Sequence, residues 1–336
     1  MFRALATAAV VSGLPARLSA CAVPVRADDD RSSPLGAVLD LLGVPRAQVT
    51  MSVGPPRANR KPVLQLSDEG GQPLAYVKVG HDDLTRSLVR HEAHSLARVA
   101  EAAIPTLRCP DVLGLVEREG LAMLVLAPLP FPGRALPSRR AQEALVRCVA
   151  DVASISGPRR SSWSTGPWAQ RLRASLADSG PTGGRLLEQL ATLTDLHPDL
   201  ITSTWHGDLN PGNVLLHQGG AVVWDWERFE DGPPLGADLL HHHLSRSLFV
   251  RGQDPAASAR SSLETAPDLL APLLPAADGQ EAVAVARIYL VALAARYLED
   301  RRDNPTSPVA RVEDWLLPAL ERAPTTPHTT HRRRRP

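Results

Sequence analysis

Residues 205–216 read Trp-His-Gly-Asp-Leu-Asn-Pro-Gly-Asn-Val-Leu-Leu, and residues 222–227 read Val-Val-Trp-Asp-Trp-Glu. The Asn-Pro-Gly sequence is typical of a turn, and the apolar residues after it indicate a short strand. Asn213 follows Asp208 by five residues across this turn, so its amide oxygen can return to the same side of the loop. Asp225 ends the second apolar run and adds a carboxylate. The two segments therefore predict a polar loop that gathers several oxygen ligands.

This set of oxygen atoms matches the needs of phosphoryl transfer. That reaction needs a group that accepts the proton of an attacking hydroxyl, and hard oxygen ligands that hold Mg²⁺ against the phosphates. Asp208 suits the first role, and Asn213 and Asp225 suit the second. The alternative is an ordinary turn between two strands, with Asp208 as a cap. That alternative explains the turn but not the position of Asp225.

The same residues resemble the aminoglycoside phosphotransferase family, whose signature is His-Gly-Asp, four residues, Asn, and then an apolar strand that ends in Asp. The resemblance implies an α+β fold of the two-lobed, protein-kinase-like kind, with a β-rich N-terminal lobe and a mainly helical C-terminal lobe. By position, it makes Asp208 the catalytic base, and Asn213 and Asp225 the Mg²⁺ ligands. It makes His206 and Asp238 structural supports of the catalytic loop.

A Lys–Glu pair is the second part of the pattern that the resemblance implies. In kinase-like folds, a strand Lys contacts the nucleotide phosphates, and a Glu on the next helix holds that Lys. Lys78 lies in an apolar strand, and Glu92 lies in the helix predicted after it. The chain has only two lysines, Lys61 and Lys78, which adds weight to the match. For Lys78 alone, a strand-end lysine with its charge in water is the alternative.

The loop that would cover the phosphates departs from the family pattern. Residues 54–61 read Gly-Pro-Pro-Arg-Ala-Asn-Arg-Lys, with one glycine where a Gly-rich loop has two or three. Prolines remove backbone N–H donors. The candidate nucleotide contacts are therefore Gly54 and the side chains of Asn59, Arg60 or Lys61. An exposed basic hairpin tip is the alternative interpretation.

Composition is that of an ordinary globular protein. The chain has 336 residues, with 37 basic and 36 acidic side chains, and 43% of it is hydrophobic. This balance gives no field that would hold a nucleic acid or a membrane, so neither is expected as a partner. The widely spaced Cys21, Cys109 and Cys148 argue against a disulfide framework or a zinc site. No sequence feature points to a particular oligomeric state.

Apolar periodicity predicts the organisation along the chain. We expect an N-terminal extension over 1–45, a nucleotide-binding N-lobe over 46–127, a C-lobe with catalytic loop and acceptor pocket over 128–323, and a disordered basic tail over 324–336. Helices are expected near 34–42, 84–103, 139–156, 168–178, 184–196, 235–249, 281–301 and 308–322. Strands are expected near 49–53, 63–66, 74–79, 112–117, 121–126, 204–206, 214–217 and 221–224.

The N-terminus imitates a lipoprotein signal peptide, with Arg3, an apolar stretch over 5–14 and then Cys21. Pro15 and Arg17 interrupt that pattern, and the expected chemistry uses intracellular ATP. A cytoplasmic protein is therefore favoured, and an exported lipoprotein anchored at Cys21 is the alternative.

The hypothesis that follows is an ATP- and Mg²⁺-dependent small-molecule kinase. It would move the γ-phosphate to a hydroxyl of a sugar, an amino alcohol, an aminoglycoside or a similar metabolite. Gly207 stands where regulated protein kinases carry an Arg, and only about a dozen residues separate Asp225 from Asp238, which is too few for a peptide-docking platform. A non-catalytic nucleotide-binding scaffold is the alternative, prompted by the degraded glycine loop.

The acceptor class depends on the charge of its pocket. An aminoglycoside is a polycation and would need clearly acidic surroundings. Neighbouring arginines dilute the candidate acids, so a neutral metabolite alcohol is at least as good a fit. These candidates are Glu230, Asp231, Glu299, Asp300 and Asp303.

Overall fold

The computed structural model describes residues 23–26, 32–53, 60–129, 136, 138–275, 278–303 and 311–322. The chain divides into two compact units. The first consists of residues up to Arg159 together with Ser203–Pro233, and the second consists of Arg160–Thr202 and the chain from Pro234 onward. The first unit is rich in strands and the second is mainly helical. The predicted α+β class is therefore confirmed.

The strands of the described chain have the following bounds. They are β1 (Val23–Arg26), β2 (Arg46–Val53), β3 (Pro62–Ser67), β4 (Pro73–Gly80), β5 (Leu107–Arg108), β6 (Val112–Arg118), β7 (Leu121–Leu126), β8 (Arg159–Ser162), β9 (Asp199–Trp205), β10 (Val214–His217), β11 (Gly220–Val223) and β12 (Glu230–Pro234). The sequence does not predict β1, β5, β8 or β12, and it finds only the end of β9.

The helices have the following bounds. They are α1 (Pro34–Leu42), α2 (Asp83–Ala102), α3 (Ser138–Ser154), α4 (Pro167–Ala177), α5 (Gly180–Leu196), α6 (Ala237–Ser245), α7 (Pro255–Leu270), α8 (Gly279–Asp303) and α9 (Val312–Arg322). A short 3₁₀ helix spans Trp163–Thr165, and a π-helical turn over Arg246–Val250 extends α6.

The first unit contains an antiparallel sheet with the strand order β1-β2-β3-β4-β7-β6. Lys78 of β4 lies opposite Val63 of β3 and Leu124 of β7. Helix α1 contributes the fully buried Val38 and Leu39 to the core beneath this sheet. Part of the stretch expected to be an N-terminal extension therefore packs into the core of the first unit.

Helix α2 brings Glu92 to this sheet. At its start, the Asp82 carboxylate accepts the Thr85 N–H at 2.8 Å, and the Thr85 hydroxyl accepts the Asp82 N–H at 3.1 Å. This capping box satisfies donors that have no partner within the helix. Glu92 is completely buried on the same helix as the buried Val89 and Leu96. A carboxylate at such a position needs hydrogen-bonding partners.

A smaller sheet of the first unit frames the His-Gly-Asp loop, which we define as residues 206–213. Strands β10 and β11 form an antiparallel hairpin directly after this loop, and β5 runs parallel to β11. Ala221, Val222 and Val223 of β11 are buried. The hairpin thus anchors the loop at one end and leads into Asp225 at the other.

The second unit contains a helix, α7, that the sequence analysis misses. Its start is nevertheless marked in the sequence, because Asp254 accepts the Ala257 N–H at 2.8 Å and Pro255 is the first helical residue. Its apolar periodicity is weak because most of its buried residues are small. These buried residues are Ser258, Ala259, Ser262, Leu263, Ala266 and Leu270.

The long helix α8 supplies much of the buried apolar surface of the second unit, and Arg287 within it is only 4% exposed. The helix agrees with the one that the sequence predicts near 281–301. In the described part of the chain, every helix is too short or too polar to cross a bilayer.

Candidate active site

Strand β9 leads into the His-Gly-Asp loop through Gly207. This glycine has a φ of 79°, and a Cβ atom at its position would lie 2.4 Å from the Arg228 carbonyl oxygen. A side chain would therefore meet both an unfavourable backbone conformation and a rigid neighbour. Glycine at this position lets the loop lie directly against the chain that follows Asp225.

His206 ties the loop to the end of β11. Its ring is completely buried. One ring nitrogen, Nδ1, accepts the Asp208 N–H at 3.2 Å, and the other, Nε2, lies 3.1 Å from the Trp224 carbonyl oxygen. Because Nδ1 accepts, Nε2 carries the proton and donates to Trp224. The Trp226 ring packs edge-on against the imidazole at 4.6 Å.

The Asn-Pro-Gly turn is held by two asparagines. The Asn210 side-chain oxygen accepts the Gly212 N–H at 2.7 Å, which closes the turn. The Asn213 amide nitrogen donates to Asp208 Oδ2 at 3.1 Å and to the Asp208 carbonyl oxygen at 2.9 Å. The amide nitrogen of Asn213 thus faces Asp208, so its amide oxygen, the atom that a cation binds, faces away.

Lys78 joins α2 to the segment after β11. Its ammonium donates to the two carboxylate oxygens of Glu92 at 2.6 and 2.7 Å, and to Asp225 Oδ1 at 2.8 Å. Three N–H groups therefore meet three carboxylate oxygens. Glu92 also accepts the Trp226 backbone N–H at 3.2 Å. The Lys78 side chain is 14% exposed, so water screens these interactions weakly.

Asp225 has an unusual backbone conformation, with a φ of 71°. Aspartate tolerates this left-handed region better than most residues, but holding a side-chain-bearing residue there costs about 1–3 kcal/mol. The conformation turns the chain sharply between β11 and the fully buried Trp226. It also directs the Asp225 carboxylate toward Lys78.

The charges of this site shift one another's proton affinities. Burial lowers the pKa of Lys78, but the charges of Asp225, Glu92 and Glu227 outweigh burial and raise the pKa above its ordinary value. Burial raises the pKa of Asp225, but Lys78 outweighs burial and the pKa is lowered. Burial also raises the pKa of Glu92, and Lys78 offsets only part of that rise. Lys78 and Asp225 therefore both carry charge at neutral pH.

A second ion pair, between Lys61 and Glu227, is a feature that the sequence analysis does not find. The two side chains are each 7% exposed, and the Lys61 ammonium bonds to Glu227 Oε2. Lys61 therefore does not belong to an exposed basic hairpin tip. The scarcity of lysine in the chain is the signal that could have linked this residue to Lys78.

The donor atoms fit a divalent cation at Asp225. Glu92, Asp225 and Glu227 each have a carboxylate oxygen within 4.8 Å of the others. The Asp208 carboxylate is close enough to act on the charge of Asp225. These four carboxylates outnumber the two ammonium groups of the site, and carboxylate oxygens are ligands that Mg²⁺ prefers. Asn213, the other predicted ligand, contacts Asp208 rather than this carboxylate group.

The structure brings the predicted residues His206, Asp208, Asn213 and Asp225 together with Lys78 and Glu92. Gly54 and Asn59 lie outside the described residues. Asp238 is buried in the first turn of α6, a position where the helix dipole favours an acidic side chain, and it belongs to the second unit.

The second unit has a pocket of its own, with a volume of about 290 Å³. Apolar residues form much of its wall, and its charged residues are three arginines and the acidic Glu264. No residue predicted for the site is part of its lining, which includes Leu193, Leu263, Val283, Arg260, Arg287 and Arg322.

Comparisons with known proteins assign the chain to a family. The sequence pattern of the phosphotransferase enzyme family matches residues 59–266. Curated proteins gave no significant match. The His-Gly-Asp loop, Lys78 and Glu92 all fall inside the matched range.

Solved structures share the fold at low sequence identity. A protein named as a candidate fructosamine-3-kinase from Haemophilus somnus 129PT is 15% identical, with a TM-score of 0.56, over 85% of this chain and 95% of that chain. A thermostable mutant of aminoglycoside phosphotransferase APH(4)-Ia, solved with ADP and hygromycin B, is 15% identical, with a TM-score of 0.51, over 85% and 96%. Amicoumacin kinase hAmiN, solved with AMP-PNP, Ca²⁺ and Ami, is 14% identical, with a TM-score of 0.50, over 83% and 90%.

Proposed function

Because the chain belongs to the phosphotransferase enzyme family, the family that its His-Gly-Asp signature resembles, we propose that it transfers the γ-phosphate of ATP to a hydroxyl group of a small molecule. The observation that carries this proposal is the convergence of Asp208, Asp225 and Lys78 in one half-buried cluster. His206 and Asn213 bond to Asp208, and Lys78 bonds to both Glu92 and Asp225. A scaffold without catalysis has no chemical need for that arrangement.

Asp208 is the general base of the proposed reaction. Its carboxylate accepts the proton of the acceptor hydroxyl while the hydroxyl oxygen forms a bond to the γ-phosphorus. The bond from that phosphorus to the bridging oxygen breaks, and the diphosphate leaves with the electron pair. His206 and Asn213 hold the loop backbone and one carboxylate oxygen of Asp208, which fixes the direction of this carboxylate.

Lys78 and Asp225 are the phosphate side of the site. Lys78 would bind nucleotide phosphate oxygens, and Glu92 fixes the direction of its ammonium. Asp225 and the amide oxygen of Asn213 would hold Mg²⁺, a cation that neutralises negative charge on the transferred phosphoryl group when it is bound. The excess of carboxylates over ammonium groups in the site supports a cation there.

A neutral metabolite alcohol is the acceptor that we favour. Two of the acidic residues that could hold a polycationic aminoglycoside already have partners within the protein. Asp231 bonds to Arg98 at 3.0 Å and to the Ser156 hydroxyl at 2.6 Å, and Glu299 accepts the Ser175 hydroxyl. An enzyme that uses ATP in this way would act in the cytoplasm.

The test is phosphate transfer from γ-labelled ATP with Mg²⁺ to a panel of sugars, amino alcohols, nucleosides and aminoglycosides. We expect transfer to one of these classes. Asp208→Ala should lower the turnover by about 10²–10⁴-fold, the usual contribution of a positioned general base, without weakening nucleotide binding.

The matched control is Asp195→Ala, which removes an exposed aspartate of α5 and should leave turnover unchanged. Wild-type turnover in Asp208→Ala would refute the assigned base. Binding of Mg²⁺ and ATP without transfer to any acceptor class would favour the non-catalytic scaffold.

A further inference from the structure

The chain uses lysine at two positions and arginine at every other basic position. Both lysines contact carboxylates of the same short segment, because Lys78 bonds to Asp225 and Lys61 bonds to Glu227. A compact ammonium and a planar guanidinium are not interchangeable at a confined site. The convergence of both lysines on one segment therefore indicates that both positions require an ammonium group rather than a guanidinium group.

The strand register explains how the two lysines converge. Val63 of β3 lies opposite Lys78 of β4, so their side chains lie on the same face of the sheet. Lys61 precedes Val63 by two residues, and side chains two positions apart on an extended chain share a face. Asp225 and Glu227 are likewise two residues apart. The lysine of β4 and the lysine directly before β3 thus meet two acids of one segment.

Stability alone does not account for the Lys61–Glu227 pair. Both side chains are 7% exposed. Removing two charges from water costs free energy that their mutual attraction often fails to recover, so a buried ion pair is weak evidence for a stabilising role. The pair lies where phosphate charge would arrive in the proposed reaction, and an ammonium held there is a ready anion ligand.

We propose, on the basis of the proposed function, that Lys61 is a second phosphate-binding residue. Glu227 is the positioning residue that holds the Lys61 ammonium beside Asp225. The ligand class is a nucleoside triphosphate, and Lys61 contacts its β- or γ-phosphate. Lys61 directly follows residues 54–60, in which Pro55 and Pro56 have no backbone N–H donor. A second lysine supplies donors in place of those two missing N–H groups.

The test compares the affinities of ATP, ADP and AMP, each with Mg²⁺, for the full-length protein and its variants. Lys61→Met should weaken ATP binding about tenfold or more relative to AMP, as expected for the loss of a charge-assisted hydrogen bond. Lys61→Arg should recover part of that loss. Glu227→Gln should weaken ATP less than Lys61→Met does, because the ammonium remains but is less well placed.

A purely structural role gives a different result, since it would weaken all three nucleotides equally. The double variant Lys61→Met with Glu227→Gln removes both charges of the pair, so it should fold even where a single variant does not. It should still lose the preference for ATP over AMP. The matched control is Arg46→Met, which breaks the exposed Arg46–Glu69 pair and should change none of the affinities.

The inference is overturned if the folded double variant keeps the wild-type preference for ATP over AMP, or if the wild type has no such preference. This failure is distinguishable from failure of the proposed function. If the wild type transfers phosphate and the double variant keeps the wild-type nucleotide preference, only the role of Lys61 is refuted. Absence of transfer to every acceptor would sink the function itself.

Discussion

The two units of this protein bury charge in different ways. In the first unit, Lys78 donates to Glu92 and Asp225 within 2.8 Å, so charges of opposite sign from separate elements compensate one another. In the second unit, the buried Arg287 donates to the neutral oxygens of Gln189 at 2.7 Å and Leu320 at 3.1 Å. Buried charge by itself is therefore not a sign of chemistry. Convergence of opposite charges at one loop is the better sign.

The largest expected effect comes from removing the central cation of each unit. Lys78→Met leaves Glu92 buried without its ion-pair partner, so we expect a loss of about 3–5 kcal/mol in the free energy of unfolding. Arg287→Met leaves the neutral acceptor oxygens of Gln189 and Leu320 without this donor, and a loss of about 1–3 kcal/mol is expected. Chemical denaturation measures both.

Nucleotide titration then separates the two variants by function. ATP affinity should fall strongly in folded Lys78→Met and stay at the wild-type value in folded Arg287→Met. The proposed difference between the two units is wrong if Lys78→Met and Arg287→Met lose the same unfolding free energy and bind ATP with the same affinity.

A glycine comparison within the first unit should have an intermediate effect. Gly207 and Gly43 both have positive φ, at 79° and 66°, but only at Gly207 would a Cβ atom meet another group within 4 Å. Gly43→Ala should cost about 1–2 kcal/mol, the usual penalty for a left-handed residue. Gly207→Ala should cost more and should also lower turnover, because the His-Gly-Asp loop must move away from Arg228.

Thermal unfolding and steady-state kinetics measure this comparison. The loop-packing explanation fails if Gly207→Ala loses no more stability than Gly43→Ala and keeps the wild-type turnover.

The smallest effect concerns pH. The pKa of Asp225 is lowered in the folded protein, so its ionisation contributes stability that is present above the unfolded value of about 3.9 and is lost as pH falls through the folded value. The pKa of Lys78 is raised, so its contribution is fully present below about 10.4 and is lost only at higher pH. The difference in unfolding free energy between wild type and Asp225→Asn should therefore stay constant from about pH 5 to 9 and shrink in acid.

Urea unfolding at several pH values measures that difference. A difference that grows as pH falls below about 4 would contradict the lowered pKa of Asp225.

Local signals made much of this site predictable. The His-Gly-Asp sequence, the Asn-Pro-Gly turn and an aspartate at the end of an apolar run all lie within residues 206–225, so their order in the chain carries much of their geometry. Lys78 was predictable because it lies on an apolar strand in a chain that is poor in lysine. The helices with strong apolar periodicity were predictable for the same local reason.

Other features depend on neighbours that are distant in the chain. The Lys61–Glu227 pair joins residues 166 positions apart, and no local pattern marks it. Helix α7 buries small residues, so its hydrophobic periodicity is faint. Asp225 has a left-handed conformation directly before Trp226, whose ring packs against His206 and Phe229, and sequence order does not reveal either feature.

The sequence by itself pointed to the family, because the spacing of the His-Gly-Asp loop and Asp225 lies within one segment, and the family resemblance in turn implied the fold class. Only the tertiary structure decided which carboxylate meets which ammonium and how deeply each pair is buried. The reason is physical, since the energy of a charge pair depends on distance and on exclusion of water, and both are set by the packing of separate elements.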